Sequence, residues 1–160
     1  MRLLYKDDVK KDFVDYNKHM NDAAYFRVFS IAGEHFTSSL GLDEEGRNHY
    51  GVTIFTLETH VVYIKEILEG KAFQVLGKLL DYDEKRLHLF LEMHNENGDR
   101  LATCETMMLA VNQAERRAGR FPEKVLQLIH KAKAEHEGEE WPQEAGQRIG
   151  IRSKKENEQN

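Results

Sequence analysis

Apolar residues recur at helical spacing across the first part of the chain. Between Ala23 and Leu40 they fall three or four positions apart, which predicts an amphipathic helix. Asn21 supplies a side-chain oxygen suited to an N-cap and Gly41 is a natural C-terminal stop, so we place this helix at about 21–40. Because large apolar groups occur on both sides of the helix, we expect the rest of the chain to wrap around it.

Three later stretches carry apolar or β-branched residues at alternating positions, which is typical of β-strands, and a hairpin signal indicates a fourth strand after them. The strands are predicted at about 52–67, 71–81, 86–95 and 100–112. Asn97-Gly98 is a strong hairpin signal between the last two. In the first strand Glu58 and His60 should share one face, and the opposite face should carry Phe55, Leu57, Thr59, Val61 and Tyr63.

The remaining segments complete an α+β domain. Residues 2–5 are predicted as an edge strand or arm, and the polar stretch at 42–50 as a loop. Gly119 and Pro122 open a second helix with an apolar stripe. One long helix followed by long antiparallel strands predicts a curved sheet wrapped around the helix, plus a C-terminal helix.

We expect a domain at residues 1–133 and a charged C-terminal extension at 134–160. The extension is dominated by charged and polar residues, with Trp141, Ile149 and Ile151 as its large apolar groups. Such a composition is typical of a mobile tail or of an arm that docks a partner.

Composition and charge narrow the classes of protein. The 160 residues fit one domain. The net charge of −5 gives no indication of the basic face that nucleic acid binding requires. The single cysteine excludes an internal disulfide, and no apolar segment resembles a signal peptide or a membrane span, so we expect a cytoplasmic protein. We expect no cofactor and no metal, because none of the eight histidines forms His-x-x-x-His with an acidic third ligand. Cys104 has no evident neighbouring base, which disfavours it as a nucleophile.

Asp15, Asn17 and His19 combine a carboxylate, a carboxamide and an imidazole at a spacing of two. In an extended segment these side chains project to one side, just ahead of the positive end of a helix dipole. This combination suits attack on a carbonyl, with the backbone amides of Met20 to Asp22 as candidate donors to the oxyanion. A plainer interpretation is also open, in which Asp15 and Asn17 form a turn and His19 packs at the helix start.

The string from Asp15 to Asn21, followed by Ala23-Ala24-Tyr25, resembles the hotdog-fold thioesterases. A longer ordered set is similar to the betainyl-CoA thioesterases of carnitine breakdown, which also occur fused to carnitine dehydrogenase. Besides the first string, that set comprises Phe29-Ser30, Leu40-Gly41-Leu42-Asp43, Leu57-Glu58, His60, Tyr63 and Lys85-Arg86-Leu87-His88-Leu89.

The resemblance implies an enzyme that hydrolyses a small acyl-CoA, most specifically betainyl-CoA, to the free acid and CoA. It implies a catalytic role for Asp15 as general base or nucleophile, with Asn17 and His19 in the same site. It also implies a homodimer or homotetramer whose cleft lies between subunits. The implied substrate-binding residues are Met20, Asn21, Asp22, Tyr25, Glu58, His60 and Tyr63.

Two further contacts are expected if the substrate is a trimethylammonium acyl-CoA. Quaternary ammonium groups are held by aromatic faces, and Tyr25, Phe29, Phe55 and Tyr63 are candidates, although each also suits a core. Lys85 and Arg86 are candidates for the CoA phosphates, although a solvated turn is the ordinary explanation for such a pair.

Two other functions compete with hydrolysis. Hotdog enoyl-CoA hydratases also place an Asp and a His ahead of the central helix, but their motif has Asp-x-Asn-Pro-x-His spacing. Here the histidine comes one residue sooner and no proline intervenes, which disfavours hydration. The second alternative is a non-catalytic acyl-CoA-binding domain, which would not need Asp15.

Overall fold

The computed structural model describes residues 1–151, which form a six-stranded sheet and three α-helices. The strands are β1 (Arg2–Asp8), β2 (Val52–Tyr63), β3 (Ala72–Tyr82), β4 (Arg86–Asn95), β5 (Arg100–Asn112) and β6 (Arg117–Ala118). The helices are α1 (Asp22–Thr37), α2 (Glu44–Tyr50) and α3 (Glu123–Ala134).

The long helix α1 is the buried rod of the fold. Asn21 caps it as expected, because its Oδ1 accepts the N–H of Ala24 at 2.9 Å. Val28 and Ala32 in its middle have no exposed surface. Its C-terminal end continues into a π-helical turn at Ser38–Leu42, in which Gly41 adopts a φ of 79°, a left-handed conformation that glycine enters without strain.

The antiparallel sheet curls around α1 in the order β1-β3-β4-β5-β2, with β6 paired to β5. Leu89, Leu91 and Met93 on the central strand β4 are almost fully buried in the core that the sheet shares with α1. Helix α3 adds Val125 and Ile129 to the same core. This is the hotdog arrangement, so the expected α+β fold is confirmed.

Several local predictions are confirmed, and the loop predicted at 42–50 is wrong. The strands at 86–95 and 100–112, the hairpin at Asn97-Gly98 and the N-terminal edge strand all form. The predicted loop at 42–50 instead contains α2, whose N-cap Asp43 accepts the N–H of Gly46 at 2.9 Å. Because α2 has no buried residue, it leaves no apolar period that would reveal it.

The predicted faces of β2 are wrong upstream of residue 57, because the strand has a β-bulge at Leu57. The pairing of β2 with β5 shifts between Thr56 and Glu58, so the extra residue inverts the alternation upstream of it. Thr59 lies on the face opposite Glu58 and His60, as predicted, and that face is turned toward α1. Thr56 also faces α1, whereas Phe55 lies on the outer face of the sheet, so the prediction that Phe55 and Thr59 share a face is wrong. Glu58 and His60 share that outer face.

Residues 136–151, here called the C-terminal strap, lie across the outer face of the sheet. Lys78 Nζ on β3 is 3.2 Å from Glu139 Oε2 and donates to the carbonyl of Glu140 at 2.8 Å. Trp141 packs edge-on against His88 with ring centroids 5.3 Å apart. Further ion pairing and backbone contacts follow along β5, at Arg100 with Glu144 and at Glu105 with the N–H of Gly146. Residues 152–160 of the predicted extension lie outside the described residues.

Candidate active site

Asp15, Asn17 and His19 lie on a tight turn at residues 14–20, whose two ends pair as an antiparallel bridge. The N–H of Lys18 donates to the carbonyl of Asp15 at 3.0 Å, and the N–H of Asp15 donates to the carbonyl of His19 at 3.1 Å. Lys18 adopts a φ of 63°. The prediction of an extended segment is therefore wrong, and the side chains do not line up on one side as that prediction required.

The side chains of Asp15 and His19 contact different groups within the chain. Asp15 is exposed, and its Oδ1 accepts the N–H of Asn17 at 2.8 Å, which is an Asx turn. Asn17 is also exposed. His19 is half-buried, and its Nδ1 lies 2.7 Å from Oε2 of Glu66. Glu66 rather than Asp15 therefore orients the imidazole in a single chain.

The turn lies beside the C-terminal end of β2 and the first turn of α1. His19 pairs with Leu68 in the segment after β2, and the hydroxyl of Tyr63 donates to the carbonyl of Asp22 at 3.2 Å. The ring of Tyr63 meets that of Tyr25 edge-on at 5.5 Å. Burial raises the pKa of Tyr25 to about 12, so its phenol stays protonated near neutral pH. Tyr25 therefore lines the site and is not suited to act as an acid or base.

The backbone amides proposed as oxyanion donors are mostly engaged. The N–H of Met20 donates to the carbonyl of Ile67 and that of Asn21 to the carbonyl of Phe13, both at 2.9 Å. Asp22 is different, because its N–H has no acceptor among the described residues. This correction leaves the first amide of α1, at the positive end of the helix dipole, as the available donor.

Glu58 and His60 do not join the Asp15 turn, since they face the outer side of the sheet. They line a groove of about 310 Å³ beneath the C-terminal strap, with His88 and Glu105 as neighbours. Nε2 of His88 is 2.7 Å from Oε1 of Glu105. The groove that Glu58 and His60 line is therefore on the outer face of the sheet, away from the cavity beside α1.

Lys85 ends the β3–β4 turn and Arg86 begins β4, at the far end of the sheet from Asp15. Since β3 has 11 residues, the two ends of that strand are about 35 Å apart. Arg86 pairs with Asp83 at 2.6 Å, and Lys85 lies 3.9 Å from Glu84. Both cations are therefore partly neutralised, and neither lies near Asp15 of the same chain.

A cavity of about 170 Å³ lies between α1 and the inner face of the sheet. One stripe of α1 and the inner residues of β2 and β5 form its walls. Its mouth lies toward the free edge of β2, where Phe26, Ser30 and Thr56 are exposed, and its interior reaches Cys104 and Thr106. The full lining is Phe26, Phe29, Ser30, Gly33, Glu34, Thr37, Ile54, Thr56, Thr59, Leu91, Cys104, Thr106 and Met108.

Of the cavity residues, only Phe29 was proposed from the sequence as a possible substrate contact. Positions 26, 30, 33 and 37 recur along one side of a helix and include Ser30 and Gly33, which interrupt the apolar face. Small residues in that position were the available signal. The matching residues on β2 could not be read, because the bulge reverses which of them face inward.

Other chemistries find less support in the described residues. Burial raises the pKa of the Cys104 thiol to about 12, so it is not a thiolate near neutral pH. Within residues 1–151 no three His, Cys, Asp or Glu side chains converge as metal ligands do. No helix in that range combines the length and apolar character needed to cross a membrane.

Comparisons with known proteins agree with this geometry. A family model described as the thioesterase-like superfamily matches residues 9–129. The chain is 34% identical over 148 residues to a betainyl-CoA thioesterase of Pseudomonas aeruginosa, covering 92% of this chain and 93% of that protein. It is also 34% identical to an L-carnitine dehydrogenase/betainyl-CoA thioesterase of Agrobacterium fabrum, where the match covers 94% of this chain and 30% of that protein.

A solved structure is similar along nearly the whole chain. It is a hypothetical protein from Staphylococcus aureus in complex with CoA, with a TM-score of 0.89 and 38% sequence identity. The superposition covers 94% of this chain and 96% of that one. The similarity therefore extends beyond the family model's boundaries.

Proposed function

Because this chain belongs to the thioesterase-like superfamily, we propose that it hydrolyses the thioester of a small acyl-CoA, with betainyl-CoA as its substrate, to the free acid and CoA. The family membership confirms the resemblance found in the sequence and supports acyl-CoA thioesterase activity. The observation that carries the substrate is the full-length similarity to a betainyl-CoA thioesterase. A CoA complex of a similar protein supports the CoA portion. A cytoplasmic location, where acyl-CoA is made and used, is part of the same proposal.

The proposed active unit is a homodimer joined through β2. This strand is a 12-residue edge strand with exposed apolar side chains at Phe55, Leu57 and Tyr63, which is a template for pairing with another chain. A two-fold axis across β2 makes the two copies of the strand antiparallel. Two such dimers can then associate into the tetramer that the resemblance also allows.

This pairing gives the exposed Asp15 a cleft. Within one chain the Asp15 turn lies at the Tyr63 end of β2, whereas the mouth of the α1–β2 cavity lies toward the Val52 end. An antiparallel two-fold arrangement therefore places the Asp15 turn of one copy beside the cavity of the other. It also brings the Lys85 and Arg86 end of the second copy to the same side as Asp15, where it can meet the CoA phosphates.

In this site Asp15 acts on the thioester carbonyl, either by activating water or by direct attack. Asn17 and His19 position the reacting groups, with Glu66 fixing the imidazole through its 2.7 Å contact. The amide of Asp22 and the N-terminal end of α1 stabilise the oxyanion. Loss of one such donor typically costs about 3 kcal/mol of transition-state stabilisation.

Thiol release from a panel of acyl-CoA substrates tests the proposed reaction. Betainyl-CoA should release free CoA fastest, ahead of acetyl-CoA and of a long-chain acyl-CoA. An absorbance change with crotonyl-CoA without thiol release would instead establish the hydratase alternative. Tight binding of every acyl-CoA with no turnover of any would establish the non-catalytic alternative.

A neutral isostere tests whether the cationic group is recognised. In 3,3-dimethylbutyryl-CoA a carbon replaces the quaternary nitrogen of betainyl-CoA at nearly the same shape. Cation–π contact is worth about 0.5–2 kcal/mol, so betainyl-CoA should have a kcat/KM about 2- to 30-fold higher. Equal values for the two substrates would show that the site selects shape and would remove the case for betainyl-CoA.

A further inference from the structure

The α1–β2 cavity is narrowed by one side chain that rests on one glycine. Met108 on β5 reaches across to α1, and its Cε lies 2.9 Å from where a Cβ on Gly33 would be. Met108 is nearly buried, opposite Thr56 on β2. The Met108 methyl therefore fits in its position only because residue 33 has no side chain.

The lining of the cavity also restricts the charge of a ligand. None of its lining residues is a Lys, Arg or His. The guanidinium of Arg47 reaches the lining residue Thr37 at 3.2 Å but is already paired with Glu34, so an acyl group with a distal carboxylate would find no unpaired cation there. The single carboxylate of the lining, Glu34, sits at the exposed rim and pairs with Nη2 of Arg47 at 2.7 Å. The rings of Phe26 and Phe29 complete a surface suited to neutral or cationic groups.

The hydroxyl groups of the cavity differ in availability. Thr59 and Thr106 contact each other at 3.3 Å, and Thr106 also donates to the carbonyl of Glu58, so both are engaged. Ser30 and Thr56 at the mouth have no hydrogen-bond partner among the described residues. The mouth is therefore polar, whereas the interior beside Met108 is apolar or already satisfied.

We propose that Met108, seated on Gly33, sets the upper size limit of the acyl group and that the surrounding cavity rejects anionic acyl groups. The inference rests on the proposed function, because it takes the cavity as the acyl site of a CoA thioester. The cavity's 170 Å³ is equivalent to about five to six water molecules at 30 Å³ each, which matches a short acyl group.

The central test shortens Met108 and measures acyl-chain preference. With acetyl-, butyryl-, hexanoyl- and octanoyl-CoA, the wild-type kcat/KM should fall at least about tenfold at the first chain too long for the cavity. Met108→Ala should restore at least about tenfold for that chain. Gly33→Ala adds a Cβ that would lie 2.9 Å from the Met108 methyl and so reduces the space that the two residues leave, which should lower the rate with butyryl-CoA. Succinyl-CoA should be at least about a hundredfold poorer than butyryl-CoA in every variant.

Met107→Ala is the matched control, because Met107 is the adjacent residue but lines the groove on the outer face of the sheet. It should leave the chain-length profile unchanged. An unchanged profile in Met108→Ala, with activity retained, would overturn the inference, as would the same change in Met107→Ala or efficient hydrolysis of succinyl-CoA.

A binding measurement separates this inference from the proposed function. Calorimetric titration with non-hydrolysable S-alkyl-CoA thioethers should show the same length limit and the same shift in Met108→Ala. If Met108→Ala binds longer thioethers but the protein hydrolyses no thioester, the role of Met108 in limiting acyl length is upheld and the proposed reaction is refuted. If the protein hydrolyses acyl-CoA but Met108→Ala leaves the length dependence of binding unchanged, the proposed reaction is upheld and the role of Met108 is refuted.

Discussion

Replacement of Asp15 by asparagine separates a catalytic role from a structural one. In the turn, Asp15 Oδ1 accepts the N–H of Asn17 at 2.8 Å. An asparagine side chain keeps an oxygen in that position and can form the same Asx turn, but it carries no negative charge and is a poor base or nucleophile. Asp15→Asn therefore removes the proposed chemistry while preserving the local fold.

The two effects differ in size. Loss of the exposed hydrogen bond altogether, as in Asp15→Ala, costs about 0.5–1.5 kcal/mol and lowers Tm by about 1–6 °C in a chain of this length. Asp15→Asn should change Tm by less than about 2 °C. Loss of a general base lowers the rate by about 10²- to 10⁴-fold, which corresponds to about 3–5 kcal/mol. Both variants should therefore lose at least about a hundredfold in kcat.

Thiol release under saturating substrate, alongside thermal unfolding, checks the prediction. The reasoning is refuted if Asp15→Asn keeps more than about a tenth of the wild-type kcat. A different failure would appear if Asp15→Ala lost activity and Asp15→Asn did not, because the turn rather than the charge would then be essential. Single-turnover hydrolysis in H₂¹⁸O, followed by analysis of label in Asp15, distinguishes a nucleophile from a base.

Three further predictions concern assembly and stability. Leu57→Asp on the free edge of β2 should weaken the dimer at least about tenfold in sedimentation equilibrium, whereas Leu128→Asp, equally an exposed leucine but on α3, should not. Asn21→Ala should lower the free energy of unfolding in urea by about 1–2 kcal/mol, because it removes the capping bond to Ala24 and the donation from Asn21 Nδ2 to the carbonyl of Phe13 at 3.0 Å. Asn21→Ser, which keeps a capping oxygen, should recover part of that loss. Hydrogen bonds from His136 and Lys78 lower the pKa of Glu139 to about 2 from an ordinary 4.5. The ionised Glu139 carboxylate should therefore help hold the strap on the sheet fully above about pH 4.5, and this stabilisation should be lost as the pH falls through about 2. Emission from Trp141, the chain's single tryptophan, should report that release, and Glu139→Gln should remove this acid-dependent step.

The fold was predictable because its main elements carry local signals that agree with one another. The N-cap at Asn21, the stop at Gly41 and the turn at Asn97-Gly98 each fix an element boundary without reference to distant contacts. The predicted bounds of β4 match because its apolar residues alternate from Leu87 to Met93, and those of β5 match because the turn at Asn97-Gly98 fixes its start. Helix α2 escaped prediction because it is short and polar on all sides, and its evidence is confined to the caps at Asp43 and Gly51.

The site was only partly predictable, since spacing does not specify backbone conformation. A spacing of two puts Asp15, Asn17 and His19 on one side only if the chain is extended, and Lys18 instead takes a positive φ. The partner of His19 is Glu66, which is 47 positions away in sequence and comes close through the segment after β2. Such a contact depends on tertiary structure and has no local signature.

The bulge at Leu57 links these outcomes. By inserting one residue, it directs both Thr56 and Thr59 toward α1 and leaves Phe55 and Leu57 exposed along the outer face and free edge of β2. The same distortion therefore shapes one wall of the cavity and creates the apolar edge at which a second copy can bind. If the cavity and the Asp15 turn complete each other only across that edge, exposure of Asp15 in a single chain is what an intersubunit active site requires. The activity per chain should then fall when the protein is diluted below the dimer dissociation constant. Activity per chain that stays constant on dilution through that range would refute the shared site.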